Sequence, residues 1–235
     1  MSRDPGARRR SPPWWDHQRH VLVALRAAVE RAVGELGPLE ARRVVDLGSG
    51  DAPYAPLFRR RGCEYVTCDL DGAAEVRIEA GRPVALPSGS AAGVVSFQVL
   101  EHVWDLDWYL GECARLLAPG GWLLLSTHGA WLYHPHPTDF RRWTRDGLVR
   151  ELEERGFAVE RVEPLVGPLA WTTQFRLLGM REALRKVPLL GALALPPLAC
   201  AMNLRMALEE AITPAAARRD NACVYLVLAR PAPRR

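Results

Sequence analysis

The chain has 235 residues, a formal net charge of +4 and 49% hydrophobic residues, which is enough for one α/β domain and excludes collagen, coiled coils and wholesale disorder. Its five cysteines contain no Cys-x-x-Cys pair, so we predict neither a disulfide framework nor a zinc site and expect a reducing, cytoplasmic location.

The first 13 residues are rich in arginine and proline and predict a disordered lead, followed by a single domain over residues 14–235. Apolar residues at helical spacing predict a helix from His20 to Leu36, which Gly37 and Pro38 end. Strands are predicted over residues 43–47, 65–70, 76–78, 93–98, 122–126, 157–162 and 222–229. Further helices are predicted after Gly50, after Asp105 or Asp107, and after Thr144.

Strands that alternate with helices predict a doubly wound, mostly parallel sheet with helices on both faces. Residues 164–221 interrupt this pattern as a helical insertion before the last strand. The longest apolar stretch, Val187 to Met202, contains prolines and is short for a bilayer span, so it predicts buried helical structure and no transmembrane segment. Peripheral contact with a membrane is the alternative interpretation of that stretch.

A glycine-rich turn follows the first strand. Glycines at 48 and 50 allow a sharp turn and close approach of a ligand, and Asp69 ends the next strand about 20 residues later. A carboxylate there accepts hydrogen bonds from both hydroxyls of a ribose. This pattern is shared by dinucleotide sites and by S-adenosylmethionine sites.

The residues after Gly50 discriminate between the two cofactors. Asp51 repels phosphate and Pro53 has no N–H to donate, which disfavours the pyrophosphate of a dinucleotide. A positively charged sulfonium without phosphate suits the acidic Asp46 and Asp51 better. The residues therefore favour S-adenosylmethionine over NAD or NADP.

Four motifs in order resemble the class I S-adenosylmethionine-dependent methyltransferases, in particular the subgroup labelled type 11. The motifs are Val45-Asp46-Leu47-Gly48-Ser49-Gly50, Ala85-Leu86-Pro87, Val99-Leu100-Glu101-His102-Val103 and Arg115-Leu116-Leu117-Ala118-Pro119-Gly120-Gly121. The resemblance covers about residues 42–162 and the final strand. It implies a Rossmann-like, seven-stranded, mostly parallel sheet whose last strand is antiparallel.

The resemblance also implies the cofactor-binding residues. Gly48 and Gly50 pass under the methionine part, Asp69 holds the ribose, Leu70 packs on the adenine and Gln98 lines the methionine end. The full set of implied residues is Asp46, Gly48, Ser49, Gly50, Asp69, Leu70, Leu86, Gln98 and His102. The family often has an aspartate before its Leu-Pro, and Arg82 stands at that place here. Two structural alternatives stay open: Asp46 braces the turn, and His102 is a packed histidine at a helix start.

The loop after the fifth strand, residues 126–144, is the candidate acceptor side. It combines three histidines, an aspartate, two arginines and aromatic residues. His134 or His136 is the candidate base, with Asp139 holding its tautomer. These three residues have too few partners to predict a metal site. The alternative is structural: Asp139 pairs with Arg141 to brace the loop, and Trp143 fills the core.

We therefore expect transfer of a methyl group from S-adenosylmethionine to an O, N or C atom of a small or lipid-like acceptor. The alternatives are a catalytically inactive methyltransferase-like binding module and an NAD(P)-dependent oxidoreductase. The insertion at 164–221 is expected to act as a lid over an apolar acceptor, or else as packing helices or the face of a homodimer. Without a basic stripe or base-stacking motif, no nucleic-acid partner is expected.

The carboxylate at 69 gives the first test. Reversing its charge with Asp69→Arg removes the acceptor for the ribose hydroxyls, so we expect calorimetry to show a large loss of S-adenosylmethionine affinity. Unchanged affinity contradicts the predicted site. Heat released on titration of the wild-type protein with NAD or NADP instead supports the oxidoreductase alternative.

Overall fold

The computed structural model describes residues 6–71 and 74–233, without the side chain of Pro188. The helices are α1 Ala7–Arg10, α2 Arg19–Glu35, α3 Ala55–Arg59, α4 Leu106–Leu116, α5 Arg145–Glu154, α6 Pro168–Leu184, α7 Pro188–Ile212 and α8 Ala215–Asp220. The strands are β1 Arg43–Leu47, β2 Glu64–Asp69, β3 Val76–Arg77, β4 Ala91–Phe97, β5 Leu117–His128, β6 Phe157–Leu165 and β7 Val224–Pro231. A 3₁₀ turn spans Leu100–His102.

The seven strands form one sheet in the order β3-β2-β1-β4-β5-β7-β6. Neighbouring strands from β3 to β5 are parallel, whereas β7 is antiparallel to both β5 and β6. The predicted fold class, including the antiparallel last strand, is confirmed. Chain order reverses between β1 and β4, and ligands of such sheets bind beyond the carboxyl ends of the strands at this point.

Helices cover both faces of the sheet because consecutive strand residues point to opposite sides. In β1, Val44 packs into a core with α2, α3, α6 and α7, while Val45 packs into a core with α4 and α5. Both valines are fully buried. This two-sided burial explains why the strands read as continuous apolar runs.

Local capping signals in the sequence correctly located two helix starts. The Asp105 carboxylate accepts a hydrogen bond from the Trp108 amide at 2.9 Å, and the Thr144 hydroxyl accepts one from the Gly147 amide at 3.1 Å. After α5, Gly156 adopts a φ of +81°, the left-handed conformation that ends helices.

The amino-terminal segment differs from its prediction. Residues 1–5 lie outside the described residues, but residues 6–13 contain the helix α1 in place of the disorder predicted for 1–13. The arginines that suggested a solvated tail bind the domain: Arg9 pairs with Asp51 at 3.1 Å, and Arg10 donates to the Pro53 carbonyl at 2.8 Å. These contacts anchor the segment beside the glycine turn.

Strand β5 is longer than predicted in both directions. Leu117 pairs with Ala91 before the turn at 119–121, and His128 pairs with Val224 of β7. His128 therefore belongs to the sheet and not to the loop that was predicted to begin at Ser126.

The insertion forms a hairpin of the long helices α6 and α7, followed by α8. The prediction of buried helical structure for Val187 to Met202 is wrong for much of the stretch, because Leu189 is 77% and Leu193 is 70% exposed. The helix also continues to Ile212, so that residues 189–212 are long and apolar enough, by length and composition alone, to cross a membrane. Only 28% of the apolar window is buried.

Packing between β4 and β5 gives the second test. A Cβ atom added at Gly93 lies 2.1 Å from the Trp122 ring, so Gly93→Ala is expected to lower the free energy of unfolding by about 1–3 kcal/mol. The matched control is Gly34→Ala in α2, where nothing lies within 4 Å and a gain of roughly 0.5–1 kcal/mol is expected. Urea unfolding of both variants measures the difference, and equal stabilities contradict the packing argument.

Candidate functional site

A cavity of about 1020 Å³ opens at the carboxyl ends of β1, β2 and β4, where the sheet reverses its chain order. The glycine turn, the loop after β4 and the loop after β5 all contribute to its wall. The predicted site residues that line it are Asp46, Gly48, Ser49, Gly50, Asp69, Leu70, Gln98, His102, His134 and His136. Its volume lies at the upper end of what small-molecule sites enclose, which leaves room for a cofactor and a second molecule.

The glycine turn adopts the conformation that its glycines permit. Gly48 has a φ of +85° and Gly50 a φ of +52°. A Cβ at Gly48 would lie 2.6 Å from Val99 Cγ2, so the close contact between β1 and the loop after β4 requires glycine there. A Cβ at Gly50 would meet nothing within 4 Å, and the backbone at this position faces open space in the cavity.

Asp69 fixes the turn to the end of β2. One carboxylate oxygen accepts a hydrogen bond from the Gly50 amide at 2.6 Å, and the other accepts one from the Leu70 amide at 2.7 Å. The Asp71 amide also donates to this second oxygen at 3.4 Å, and the oxygen bound to Gly50 keeps a second lone pair. Asp69 is therefore oriented by backbone donors and still able to accept the hydroxyls of a ribose.

Asp46 lies beneath the turn and is only 2% exposed. It accepts a hydrogen bond from the Tyr65 hydroxyl at 2.7 Å, so its bracing partner is strand β2 and not the turn itself. Burial raises the pKa of Asp46 to about 7, with help from the negative charges of Asp69 and Asp51, although the Tyr65 hydrogen bond opposes the shift. A cation in the cavity would favour the ionised form.

The residues present fit S-adenosylmethionine. The Ser49 hydroxyl is buried and has no hydrogen-bond partner within the described part of the chain, which leaves a polar group in the turn for a ligand. Leu70 and Ile78 offer apolar surface at the β2–β3 side of the cavity, where an adenine is expected. The acidic Asp46 and Asp69 suit a positively charged nucleoside, and no basic group of the turn itself is there to neutralise a pyrophosphate.

The remaining predicted cofactor residues, Gln98, His102 and Leu86, lie outside the glycine turn. Gln98 has a φ of +59° at the end of β4 and donates from its side-chain amide to the Ser126 hydroxyl at 3.0 Å. His102 contacts the Thr138 carbonyl through Nδ1, which connects the 3₁₀ turn to the loop after β5. Leu86, by contrast, does not line the cavity but packs against the core on the α4 side, so its predicted cofactor contact is not found.

A histidine that the sequence reasoning did not select, His128, occupies the centre of the acceptor side. It is 5% exposed, lines the cavity and stacks on Trp131 with ring centroids 4.9 Å apart. Its Nε2 lies 3.3 Å from Oε1 of the fully buried Glu101, an oxygen without a hydrogen-bond partner among the described residues. Burial holds the pKa of His128 well below its ordinary value, and the neighbouring His134 and Arg142 lower it further. The imidazole is therefore neutral at pH 7.

Glu101 is likewise held by the fold. Its second oxygen accepts a hydrogen bond from the Thr127 hydroxyl at 2.8 Å, and burial raises the pKa of Glu101 to about 7. In the sequence, Glu101 stands out only as part of the motif from Val99 to Val103. Its approach to His128 arises because β4 and β5 are neighbours in the sheet.

His134 and Asp139 are brought together as predicted. Asp139 Oδ2 accepts a hydrogen bond from the His134 amide at 2.9 Å and lies 3.5 Å from His134 Nδ1. The guanidinium of Arg142 holds the pKa of Asp139 far below its ordinary range, whereas burial lowers the pKa of His134. The partner of Asp139 is thus Arg142 and not Arg141, which donates to the Val103 and Trp104 carbonyls instead. Trp143 is buried, as its alternative interpretation predicted.

Several histidines converge around His134. Its ring lies 4.9 Å from that of His102 and 5.1 Å from that of His128, measured between centroids. Glu101, His102 and His134 also offer three ligand atoms within 4.8 Å of one another. His136 lines the cavity as well but is exposed.

The cover of the cavity comes from the amino-terminal part of the chain. Residues Arg9, Gln18, Val21, Leu22 and Leu25 line it, and the sequence reasoning missed all of them. No described residue between 164 and 221 lines the cavity, so the prediction that this insertion forms the lid is not supported. The insertion instead supports the cover, since Gln174 donates to the His17 carbonyl at 2.6 Å.

Comparison with known proteins agrees with the fit of the site to S-adenosylmethionine. A family profile described as a methyltransferase domain matches residues 15–162. A probable S-adenosylmethionine-dependent methyltransferase of Mycolicibacterium smegmatis is 31% identical over 160 residues, which are 61% of this chain and 59% of that protein. A ubiquinone biosynthesis O-methyltransferase of Paracidovorax citrulli is 33% identical over 136 residues, or 48% of this chain and 56% of that protein.

This chain thus spans little more than half the length of the curated relatives that it matches. Among solved structures, an S-adenosylmethionine-dependent methyltransferase from Mesorhizobium loti superposes with a TM-score of 0.55 at 18% identity. The superposition covers 88% of this chain and 98% of that one, and it supports the fold.

The buried carboxyl of Asp46 gives the third test. In the unfolded chain this group loses its proton near pH 4, whereas the folded protein keeps it up to about pH 7. Its stabilising contribution is therefore fully present below pH 4 and is lost as the pH rises to 7, at about 1.4 kcal/mol per pKa unit. The free energy of unfolding of the wild type is expected to decline between pH 4 and 7. In Asp46→Asn we expect a shallower decline, of which the contribution of Glu101 remains. Denaturant titrations of the ligand-free protein between pH 4 and 8 measure it, and identical slopes contradict the assignment.

Proposed function

Because this chain belongs to the S-adenosylmethionine-dependent methyltransferase family, we propose that it methylates an O, N or C atom of a small or lipid-like acceptor that binds beside the histidine cluster. Membership of the family indicates the reaction and the cofactor, whereas the acceptor is what we propose. We define the histidine cluster as His102, His128 and His134.

One observation carries this proposal: a single cavity joins the glycine turn to the histidine cluster. The wall of this cavity also includes apolar and aromatic side chains, among them Leu22, Leu25, Phe97, Trp131 and Phe140. Such a wall suits an acceptor with a large apolar part, and the few polar groups fix its orientation.

Positioning is the main task of the protein in such a transfer. The cofactor supplies a methyl group on a positively charged sulfur, which is already activated for displacement. The walls of the cavity hold the acceptor against it, and orientation of this kind can contribute about 7–11 kcal/mol to lowering the barrier. The negative charges of Asp46 and Asp69 keep the cation in place.

The proton of a hydroxyl or amine acceptor needs a base as its oxygen or nitrogen gains the methyl group. His134 and His128 both have a pKa below the ordinary histidine value and are therefore neutral and able to accept a proton at pH 7. Asp139, ionised and held by Arg142, stabilises the charge that develops on His134. Glu101 lies beside His128, but burial raises its pKa to about 7, so it lacks the fixed charge of Asp139.

His136, the other candidate base, lacks such support. It is exposed, and no carboxylate contact to it is found in the described residues. We therefore assign proton acceptance to His134 with Asp139, assisted by His128, and assign His136 to the rim of the acceptor site.

The acceptor class is inferred from chemistry. An apolar wall beside neutral imidazoles suits a hydroxyl on a lipid-like or aromatic molecule better than a charged amine, which gains nothing from an apolar surface. The printed name of one relative, ubiquinone biosynthesis O-methyltransferase, agrees with an oxygen atom as the acceptor. Lipid-tailed phenols are therefore the first acceptors to test.

His134→Ala tests the proposed base. We expect kcat to fall about 100-fold or more, because general base catalysis typically contributes that much, while the calorimetric affinity for S-adenosylmethionine stays unchanged. Transfer of a radiolabelled methyl group to a panel of lipid-tailed phenols measures the rate. The wild-type rate is expected to fall at acidic pH as the imidazole is protonated. The variant lacks the contribution of His134 to this fall, whereas the contributions of His128, Asp46 and Glu101 remain.

Two further variants serve as comparisons. Tyr133→Ala removes a side chain that is 75% exposed and does not line the cavity, so it should retain full activity. His136→Ala is expected to lower kcat less than His134→Ala does. Cofactor binding without transfer to any acceptor would favour the inactive binding module, and an unaltered rate in His134→Ala would refute the assignment of the base.

A further inference from the structure

The outer side of α7 carries a continuous apolar stripe. Its members recur at intervals of three or four residues along the helix and are all exposed, namely Leu189, Leu193, Pro197, Ala201, Leu204, Leu208 and Ile212. The five large side chains among them are 56–77% exposed. The 23 residue steps from first to last correspond to about 35 Å along the helix.

An exposed surface of this kind needs an explanation. Single exposed leucines are ordinary, but a contiguous apolar patch on a domain surface marks contact with a partner or a membrane. The opposite side of α7 is already occupied by the core, where Ala199, Met202 and Met206 are buried. From Val187 to Leu204 the sequence has no charged residue.

We propose that the α7 stripe docks this protein on the surface of an anionic lipid membrane, with the helix lying in the interface. The inference goes beyond methyl transfer and does not depend on the cofactor site. Three features identify the occupant: the charges at the two ends of α7, the tryptophans beside it and the position of the cavity cover.

The charges at the beginning of α7 are positive. Arg181, Arg185 and Lys186 precede the stripe, and Glu182 is the only acidic residue among them, which leaves an excess of two positive charges. Lys186, the only lysine of the chain, has no ion-pair partner in the described structure. Basic residues next to an apolar stripe attract anionic headgroups.

The other end of α7 is neutral. Arg205 pairs with Glu209, Arg218 pairs with Glu210, and Arg219 pairs with Asp220. A second copy stacked antiparallel would therefore oppose the basic end with an uncharged one, and a parallel copy would oppose two basic ends. Neither arrangement offers the charge complementarity that an anionic lipid surface offers.

Two exposed tryptophans lie beside α7. Trp14 and Trp15 are 51% and 59% exposed, and the buried amide of Asn203 in α7 donates to the carbonyls of Trp14 and Asp16 at 2.9 and 3.0 Å. Tryptophan is enriched where an apolar ring meets lipid headgroups. The segment that carries them continues into Gln18, which lines the cavity, so the docking surface adjoins the cavity cover.

Flotation with vesicles tests the proposal. The full chain is mixed with vesicles of phosphatidylcholine alone or of phosphatidylcholine with phosphatidylglycerol, at low and high salt. We expect binding to the anionic vesicles that weakens with salt, a loss of at least tenfold in the double variant Leu189→Glu and Leu193→Glu, and a loss of about fivefold in Lys186→Gln.

Val23→Glu is the matched control, because Val23 is a 40% exposed apolar residue of α2 outside the stripe and the cavity. It should bind vesicles like the wild type. All variants should keep the wild-type circular dichroism and calorimetric affinity for S-adenosylmethionine, which separates a docking defect from failure of the active site.

Three results would overturn the proposal. If the double glutamate variant binds vesicles as the wild type does, the stripe is excluded as the docking surface. A wild-type dimer in light scattering that becomes a monomer in that variant would identify a second copy as the occupant. A membrane-bound protein that resists extraction by alkaline carbonate would show that α7 spans the bilayer and does not lie on it.

Discussion

The hydrogen bond from the Gly50 amide to the Asp69 carboxylate joins the ends of the two strands on which the cofactor site is built. β1 and β2 pair in parallel register from Arg43 and Glu64 onward, so both strands end at the same edge of the sheet. The left-handed conformation of Gly48 and Gly50 then directs the chain away from that edge without covering it. The cavity and its amino-terminal cover lie at the space that this bend leaves open, where we propose that cofactor and acceptor meet.

Burial gives the site its electrostatic character. Asp46 and Glu101 are enclosed without a cationic partner in direct contact, and desolvation raises the pKa of each to about 7. Asp139 is ionised because Arg142 pairs with it through both terminal nitrogens, Nη1 and Nη2, of its guanidinium. The site thus contains one carboxyl group near its point of titration at the glycine turn, Asp46, and a second among the histidines, Glu101. The fixed anion Asp139 lies beside the neutral imidazole of His134. This arrangement suits the binding of a cation and the acceptance of a proton that we propose.

The insertion before the last strand acts on the cavity indirectly. Helices α6 and α7 bind the backbone of residues 14–17 through Gln174 and Asn203, and this segment with α2 forms the cover. Because their inner sides are used for this support, their outer side is free to carry the apolar stripe of α7. Support of the cavity cover and the proposed membrane docking therefore use opposite sides of the same helical layer.

The sequence by itself determined the doubly wound class of the sheet and predicted the cofactor half of the site, since Gly48, Gly50 and Asp69 belong to one βαβ unit whose signals are local. It also identified His134 and Asp139, five residues apart in one loop. Only the tertiary structure decided that His128 meets Glu101, because that contact depends on how far β5 extends beside β4 and β7. Likewise, the spacing of apolar residues cannot reveal which side of an apolar helix stays exposed. In α7 this is decided by contacts with α6, which packs on one side only, and with residues 14–17, which lie far from α7 in the chain.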